Sequence, residues 1–487
     1  MATGESHEIA QMPTLKKGLL GLKEAYGQAM GVTAPLGSVV STTTAAIIFA
    51  GAAVPLATVI AFLGSVIWIW ILTRYSRKVA SPGGYYSFSG VAYMSRQLSM
   101  FEALTEVFAY VFLNAFDAVA VYLLLQVAGG FLGIKIPLIF DALAMLMTVL
   151  YPTLVSLANV KTLMGKIVTI GSTLEVVLLL GFFAFVTYSH GFTLQPFNPS
   201  MSTLGLGGLA TAFILSLVSI SGAGTATYLG EETKIPTKTI SKGMWLALLI
   251  GGISMILGTY ALVVGWGLGH LSTISSSPQP LFQEIGVLGV PALIITIVLS
   301  VNSILVQNIG ATVSAARILF NLSREESAPA LFKNVSSRGQ PTIATLFVGA
   351  LTGAITFGAV FGLGVEYAFA SLSIPLSVLW VLGRTIDTAG VPLFYKRIGK
   401  LTLPLLIVPL VMFMLNIWGI AETFYPPSIV ASSFLVGFLM VAMIWYRIWG
   451  TTGKAGSLVV TESGEVISAK TLIDKLRTWP TAEADLS

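Results

Sequence analysis

The sequence Gly31-Val32-Thr33-Ala34-Pro35-Leu36-Gly37-Ser38 lies in the middle of an apolar run that extends over residues 24–50. That run is longer than the about 20 residues of helix that cross the hydrocarbon core of a bilayer. Proline is preferred as the first residue of a helix, so Pro35 predicts that the membrane helix is broken here and that a second half-helix begins. The first N–H groups of a half-helix have no intrahelical partner, and those of residues 36–38 would suit a carboxylate group.

Apolar runs of this kind recur along the whole chain. They number twelve, are called spans 1 to 12, and lie near residues 24–50, 54–73, 101–132, 136–158, 165–188, 204–229, 243–268, 290–320, 342–362, 366–383, 401–420 and 427–446. Of the 487 residues, 55% are apolar and 10% are charged, whereas about 25% are charged in soluble domains. The alternating strands of an outer-membrane barrel are absent, so the predicted fold class is an all-α polytopic membrane protein with twelve transmembrane helices.

The basic residues predict the orientation, since Lys and Arg accumulate in cytoplasmic loops. With the N-terminus inside and twelve spans, Lys135 is the only one of the 26 Lys and Arg residues that falls outside. We therefore expect a protein of the cell membrane with both termini in the cytoplasm. The predicted segments are a cytoplasmic N-terminal segment, a first five-helix block, an extracellular loop, a second five-helix block with its cytoplasmic end, spans 11 and 12, and a cytoplasmic tail, at residues 1–23, 24–188, 189–203, 204–400, 401–446 and 447–487. Within the tail, residues 466–479 are predicted to form a short amphipathic helix.

A second break is predicted in the middle of span 6, at Ser219-Ile220-Ser221-Gly222-Ala223-Gly224-Thr225. Its small residues let the backbone unwind and approach a ligand closely, and the freed carbonyl groups suit an ammonium group. Each segment alone is also compatible with a kinked or closely packed helix. The two breaks fall in the first helix of two successive five-helix blocks, which is the arrangement of transporters built from inverted repeats. The pair therefore predicts a substrate site between spans 1 and 6.

Two further stretches accompany these breaks. Pro82-Gly83-Gly84-Tyr85-Tyr86 follows span 2, and the span 6 break is followed by Tyr228, Glu231-Glu232-Thr233-Lys234 and Pro236. Together they resemble the amino acid–polyamine–organocation superfamily of LeuT-like permeases over spans 1 to 10. The resemblance implies a five-plus-five inverted repeat with two extra C-terminal helices and alternating access to a central amino-acid site. Many members carry a bulky aromatic gate near the sixth-helix break; here the neighbours are small, which leaves Tyr228 or an aromatic residue of another span to close the site.

Polar residues also recur along span 3. Glu102, Glu106, Tyr110 and Asn114 are spaced by four residues, and Asp117 follows three further on. This spacing places them on one helix face that points into the bundle. We expect Glu102 and Glu106 near the cytoplasmic surface, either as a solvated helix end or in a functional role. Asp117 lies deeper and is a candidate for contacting a substrate amine, or alternatively a structural partner of a hydroxyl group.

Spans 5 and 8 supply candidates for ion coupling. Glu175 lies in residues 170–185, a stretch with no basic residue. A carboxylate there needs water, a cation or a bound proton, so Glu175 is either a proton carrier or a neutral acid hydrogen-bonded to a neighbouring helix. In proton-coupled relatives a span 5 lysine takes the place of a sodium ion, and the resemblance implies that Glu175 occupies that place. Ser300 and Ser303 in span 8 either help to bind sodium, as in sodium-coupled members of the fold, or hold helices together.

These features together predict a secondary active transporter, and not an enzyme. The expected partners are a small-molecule substrate, namely an amino acid or a related amine, a proton or alternatively sodium, and the lipid bilayer; exchange without an ion stays open. A channel would need a repeated filter loop, which the sequence lacks. The three histidines lie outside the spans and there is no cysteine, so no metal site, no cofactor and no catalytic dyad of an intramembrane enzyme is predicted. Without a basic soluble domain, the net charge of +5 does not indicate a nucleic-acid partner.

Overall fold

The computed structural model describes residues 12–267, 269–277, 279–424, 428–462 and 464–478. Within these ranges, eleven helical stretches are long and apolar enough to cross a membrane. The first of them, Leu22–Ser76, has 55 residues, more than twice the about 20 residues that one crossing needs. It contains the runs predicted as spans 1 and 2. The protein is thus a polytopic all-α membrane protein, and the count of twelve spans stays a prediction.

The helices keep the span numbers, with bounds that the structure gives. Span 1 has four pieces, Leu22–Thr33, Pro35–Ser38, the π-helical Val39–Thr43 and Thr44–Ala50. Spans 2 to 5 are Val54–Ser76, Arg96–Phe131, Leu138–Val155 and Thr169–His190, the last preceded by Val160–Thr162 and the π-helical Leu163–Val168. Spans 6 to 12 are Gly205–Ile220 with the 3₁₀ helix Ser221–Leu229, Pro236–Trp266, Val290–Arg324, Thr342–Leu363, Val365–Arg397, Pro404–Thr423 and Ile429–Trp445. Shorter helices between or after them are Gly51–Ala53, Tyr85–Tyr93, Gln195–Phe197, Pro199–Met201, Leu271–Ser276, Pro280–Gly286, Ala330–Lys333 and Tyr446–Gly450. Tyr85–Tyr93 is called the connecting helix.

The spans differ in how much of their surface lies inside the protein. In the most apolar 18-residue window, 89% of the residues are buried in span 6 and 83% in span 3, against 28% in span 11 and 17% in span 12. A helix that is buried all round is an interior element, whereas a helix with exposed apolar side chains faces lipid. Spans 3 and 6 therefore lie at the centre of the bundle, and spans 11 and 12 lie at its periphery.

Span 10 is longer than the sequence indicated. We expected it to end near residue 383 and placed Arg384 in a cytoplasmic loop; this was wrong, because the helix continues to Arg397. Arg384 is fully buried, and its Nη1 donates to the carboxylate of Glu106 and to the carbonyl of Trp380. Because the carboxylate of Glu106 compensates the positive charge inside the bundle, the charge does not end the helix.

The predicted cytoplasmic tail folds back onto the bundle. The expected helix over residues 466–479 is partly a strand: Val466–Ser468 pairs antiparallel with Leu458–Val460, and the helix occupies Ala469–Thr478. Trp479 lies outside the described residues. The hairpin is anchored on the segment after span 2 through the N–H of Val460, which donates to the carbonyl of Ala80 at 2.7 Å.

Candidate functional site

Span 1 is interrupted at Ala34. The helix Leu22–Thr33 ends there, and the next half-helix begins with Pro35. Ala34 has a φ of 37°, in the left-handed region, which costs on the order of 1–3 kcal/mol for a residue other than glycine and persists where the surroundings enforce it. The hydroxyl group of Ser38 donates to the carbonyl of Thr33 at 2.8 Å across the break. The interruption is therefore a defined structure in which the broken ends satisfy each other.

The N–H groups at the start of the second half-helix all have acceptors inside the protein. The N–H of Leu36 donates to Oε2 of Glu175 at 3.4 Å, and the N–H of Gly37 donates to the hydroxyl oxygen of Ser303 at 2.7 Å. The N–H of Ser38 closes the first turn of the half-helix at 2.8 Å. The sequence predicted these three groups as donors to a substrate carboxylate. In this structure, such a carboxylate would have to replace Glu175 and Ser303.

Glu175, Ser303 and the break in span 1 form one hydrogen-bonded unit. The hydroxyl of Ser303 donates to Oε2 of Glu175 at 2.5 Å, and both residues are fully buried. Oε1 of Glu175 has no hydrogen-bond partner among the described residues, and the same holds for the buried hydroxyl of Ser300. Glu175, the candidate for proton coupling, and Ser303, a candidate for sodium coupling, are thus direct neighbours at the half-helix that contains Leu36.

Span 6 loses its α-helical form where the small residues begin, and continues as the 3₁₀ helix Ser221–Leu229. A Cβ atom on Gly222 would lie 2.8 Å from the carbonyl carbon of Val32, closer than side chains tolerate, so the backbones of spans 1 and 6 touch here. The hydroxyl of Thr225 donates to the carbonyl of Gln28 in span 1 at 3.2 Å. The two breaks therefore lie against each other.

The hydroxyl groups of the span 6 break contact other helices. Ser219 and Thr42 share a hydrogen bond of 2.7 Å between their hydroxyl groups, which ties span 6 to the second half of span 1. The hydroxyl oxygen of Ser221 accepts the indole N–H of Trp380 at 2.8 Å. Span 10 thereby reaches the break, although Trp380 was not among the predicted site residues.

Asp117 lies beside the second half of span 1. Its side chain is fully buried and lies against Ser41. The hydroxyl of Ser41 donates to the carbonyl of Gly37 at 2.8 Å, and neither carboxyl oxygen of Asp117 has a hydrogen-bond partner in the described part of the chain. Asp117 is therefore a buried polar group close to the half-helix and able to accept a hydrogen bond from a donor group of a ligand.

Of the two alternatives for Glu102 and Glu106, the solvated helix end was wrong. Both are fully buried, because the connecting helix and span 10 cover the first turns of span 3. Glu106 forms an ion pair of 3.2 Å with Arg384 and accepts the hydroxyl of Tyr228 at 3.4 Å. Tyr110 in turn donates to the hydroxyl oxygen of Tyr228 at 3.3 Å. The polar stripe of span 3 thus continues into the aromatic end of the span 6 break.

Aromatic rings surround the Arg384 guanidinium. Its central carbon lies 3.9 Å from the ring centre of Trp380, 5.2 Å from that of Tyr85 and 5.7 Å from that of Trp68, distances at which rings attract a cation. Sequence reasoning missed Trp380 and Arg384. Their spacing of four residues places both on one helix face, and extending that period past residue 383 would have shown them.

Two buried ion pairs close the bundle on the predicted cytoplasmic side. Arg317 contacts Glu232 at 2.6 Å and Arg324 contacts Glu231 at 2.9 Å. Burial raises the pKa of the Glu232 carboxyl group, and the positive charge of Arg317 offsets part of that increase. The N–H of Leu15, in the segment before span 1, donates to Glu231 at 3.0 Å. The exit of span 6, the end of span 8 and the N-terminal segment are therefore held together.

The predicted site residues are all enclosed. Fully or nearly fully buried are Thr33, Ala34, Pro35, Leu36, Gly37, Ser38, Asp117, Ser219, Ser221, Gly222, Ala223, Gly224, Glu175, Ser300 and Ser303. A molecule from outside the bundle therefore reaches the two breaks only after helices have moved apart.

Comparisons with known proteins show what the chain is similar to. The chain matches the amino acid permease family over residues 25–445. It is 24% identical over 292 residues to the vacuolar cationic amino acid transporter 4 of Arabidopsis thaliana, a match that covers 58% of the chain and 46% of the relative. It is 29% identical over 154 residues to an uncharacterized amino-acid permease of Schizosaccharomyces pombe, covering 29% of the chain and 27% of the relative. A probable amino-acid permease of the same yeast is 29% identical over 180 residues, covering 34% of the chain and 31% of the relative. The chain thus spans less than half the length of these curated relatives.

Proposed function

We propose that this chain, which belongs to the amino acid permease family, carries an amino acid across the membrane by alternating access and uses the proton as its coupling ion. Proteins of this family are transporters and not enzymes. An amino acid carries a carboxylate and an ammonium group. The half-helix that starts at Pro35 offers N–H groups for the carboxylate, and the span 6 break offers carbonyl groups for the ammonium.

One hydrogen bond carries the proposal, the bond of 3.4 Å from the N–H of Leu36 to Oε2 of Glu175. The N-terminal end of a helix attracts negative charge. Glu175 therefore occupies the position that we propose for the substrate carboxylate, and two anions cannot occupy it together. The substrate binds there only when Glu175 moves away or loses its charge.

A proton on Glu175 provides that loss of charge. Oε1 is the carboxyl oxygen without a partner among the described residues, so it accepts a proton without breaking the hydrogen bonds at Oε2. Neutral acceptors form weaker hydrogen bonds than charged ones, and the donors on Leu36 and Ser303 then become accessible to the substrate carboxylate. Proton and substrate bind together on one side and leave together on the other, which is symport.

Asp117 is the proposed additional contact for positive charge on the substrate. A buried carboxyl group without a donor is unfavourable unless a ligand or a proton satisfies it. The Arabidopsis relative is named for cationic amino acids, and a side-chain ammonium or guanidinium group would suit Asp117. Lysine and arginine therefore belong among the substrates to be tested.

Sodium is the alternative coupling ion. Hydroxyl and carboxylate oxygens are ligands that hard cations prefer, and Glu175, Ser303 and Ser300 supply them at the break. Exchange of one amino acid for another without an ion is the third mode of transport. The gradient that drives accumulation distinguishes proton coupling, sodium coupling and exchange.

The test begins with the purified protein and each of the twenty L-amino acids. A ligand that binds only the folded state raises the melting temperature, and we expect at least one amino acid to do so. That amino acid, radiolabelled, is then offered to proteoliposomes with a pH gradient, with a sodium gradient, or with unlabelled amino acid inside. Accumulation driven by the pH gradient supports proton symport, whereas accumulation driven only by sodium or by exchange overturns proton coupling. Failure of all twenty to bind and to enter the vesicles contradicts amino acid transport.

A further inference from the structure

A pair of carboxyl groups lies between spans 3 and 10, apart from the site at Glu175. Glu102 is in the first two turns of span 3 and Asp387 follows Arg384 in span 10, and both side chains are fully buried. The two carboxyl groups lie within hydrogen-bonding reach of each other. None of their four oxygens accepts a hydrogen bond from any other group in the described ranges.

The hydroxyl groups that surround this pair are engaged elsewhere. Tyr75 of span 2 donates to the backbone carbonyl of Asp387 at 3.1 Å, and Tyr93 of the connecting helix donates to the carbonyl of Ile386 at 2.7 Å. Ser89 of the connecting helix lies against Glu102 but donates to the carbonyl of Tyr86 at 2.9 Å. These neighbours therefore do not supply the hydrogen that the carboxyl oxygens lack.

The charged neighbours do not balance the pair either. Glu106 lies one helical turn beyond Glu102, so that three carboxyl groups share one guanidinium, that of Arg384. Its Nη1 is bonded to Glu106 and to the carbonyl of Trp380. Its Nε and Nη2 are buried and have no acceptor among the described residues. One positive charge thus faces three carboxyl groups, and Arg384 contacts Glu106 directly but makes no hydrogen bond to Glu102 or Asp387.

Two carboxylates that lie within hydrogen-bonding reach of each other in a fully buried site cannot both be ionised, because each is desolvated and each repels the other. One proton between them changes this balance. It removes one negative charge and supplies the donor that joins the two groups by a hydrogen bond. Such a proton belongs to the pair and not to either residue alone.

We propose that Glu102 and Asp387 bind one shared proton and form a second proton-binding site, distinct from Glu175, on the predicted cytoplasmic side of the substrate site. The proton itself follows from the arrangement of the pair. Its consequence for transport rests on the proposed function.

That consequence runs through Arg384. When the pair loses its proton, its two negative charges attract the free Nε and Nη2 groups of Arg384 and draw the guanidinium away from Glu106. Glu106 then lacks its counter-ion, and its contact with Tyr228 of the span 6 break changes. Deprotonation of the pair is therefore linked to opening of the break, and protonation to the closed arrangement.

Infrared spectroscopy tests the shared proton without a substrate. The C=O stretching band of a protonated carboxyl group is separate from those of carboxylates and amides, and its intensity is followed in the purified protein as the pH is raised. We expect the wild type to lose one step of intensity that is absent in both Glu102→Gln and Asp387→Asn, because either amide donates to the remaining carboxylate and replaces the proton. The steps of Glu284 and Glu325, whose pKa burial raises to about 7, remain in every variant as internal references. If the step persists in either variant, the proton is not shared and the proposal is overturned.

Glu175→Gln is the matched control. It should leave the infrared step of the pair intact and should abolish uptake driven by the pH gradient, whereas Glu102→Gln and Asp387→Asn should retain binding of the amino acid found by the thermal screen and should flatten the pH profile of its exchange. A profile identical to that of the wild type in both variants overturns the link to the span 6 break. If a variant does not fold, the titration of the wild type still decides, since a band that shows only the steps of Glu284, Glu325 and Glu175 and disappears completely after them excludes the shared proton.

Discussion

The hydroxyl of Ser303 donates to Oε2 of Glu175 at 2.5 Å while its oxygen accepts the N–H of Gly37 at 2.7 Å. Glu175 belongs to span 5, in the first five-helix block, and Ser303 belongs to span 8, in the second. In transporters built from two repeats, one repeat moves against the other during the cycle. Under the proposed alternating access, we therefore expect the hydrogen bond between these two predicted blocks to change with each turnover, and a proton on Glu175 would change it.

Glu175→Gln should uncouple transport from the pH gradient. Glutamine keeps the shape of the side chain and an acceptor for the N–H of Leu36, but it cannot ionise. Binding of the substrate carboxylate at the half-helix is then no longer linked to uptake of a proton at this position. We expect the variant to bind the amino acid identified by the thermal screen and to exchange it, while accumulation driven by a pH gradient falls to passive equilibration. Gradient-driven accumulation at the wild-type level would exclude Glu175 as the proton carrier.

Ser303→Ala and Ser300→Ala should differ. Ser303 loses a hydrogen bond to a charged group, and such bonds contribute about 1.5–3 kcal/mol, so its variant should melt at a lower temperature and show weaker proton coupling. The hydroxyl of Ser300 has no partner in the described residues, and its removal should change stability little under proton coupling. If Ser300→Ala instead needs a much higher sodium concentration for transport than the wild type does, the sodium alternative is favoured.

The position of the breaks could be predicted because it depends on local chemistry. Pro35 lacks an N–H group and is favoured as the first residue of a helix, and Gly222 lacks the Cβ atom that would separate spans 1 and 6. The partners of the freed groups could not be predicted in the same way. That Leu36 donates to Glu175 depends on how span 5 packs against span 1, which local sequence does not determine.

Long-range pairing explains the failed expectations as well. A charged residue at the end of an apolar run usually marks the membrane surface, and on that rule Arg384 was placed in a loop and Glu102 and Glu106 near water. The rule fails where opposite charges compensate each other inside the bundle. Glu106 and Arg384 do so through their contact of 3.2 Å. The two residues are 278 positions apart, so no local pattern indicates the pair.

Gly222→Ala should loosen the contact between the two breaks. The added Cβ atom would lie 2.8 Å from the carbonyl carbon and 2.9 Å from the carbonyl oxygen of Val32, so the backbones must separate, and overpacking of this kind costs about 1–3 kcal/mol. We expect a lower melting temperature and loss of amino acid binding. Gly353→Ala in span 9 is the control, because its Cβ atom would meet Val149 at an ordinary 3.7 Å. Equal behaviour of the two variants would place the substrate away from Gly222.

A double-mutant cycle should show that Glu106 and Arg384 stabilise the fold as a pair. Removing one partner of a buried ion pair leaves an uncompensated charge, at a cost of about 3–5 kcal/mol. Arg384→Gln or Glu106→Gln alone should therefore lower thermal stability strongly, and the double variant should recover most of the loss. Arg338→Gln, which changes an exposed arginine, is the control. Additive losses in the double variant would show that the two residues act independently.

Glu325, just after span 8, should make docking of the tail depend on pH. Its carboxylate accepts the N–H groups of Gly456 at 3.0 Å and of Leu458 at 2.8 Å, and the hydroxyl of Tyr86 at 3.0 Å. Burial raises the pKa of Glu325 from its ordinary 4.5 to about 7, although these donors favour the charged form. Glu325 thus binds a proton more tightly when the tail is docked than when the tail is detached and the Glu325 carboxyl is solvated. Docking is most favourable below about pH 4.5, weakens as the pH rises towards 7, and is constant above that.

Spin labels measure this directly, because the chain contains no cysteine that must first be removed. Cysteines replace Lys470 in the tail helix and Arg77 after span 2, both exposed, and double electron–electron resonance gives the distance between the labels. We expect the short-distance population of docked tails to decrease between pH 5 and 7.5 and then to stay level. In Glu325→Gln, which cannot titrate, that population should be the same at every pH. A docked population that grows as the pH rises, or the same pH dependence in Glu325→Gln, would show that Glu325 does not control docking.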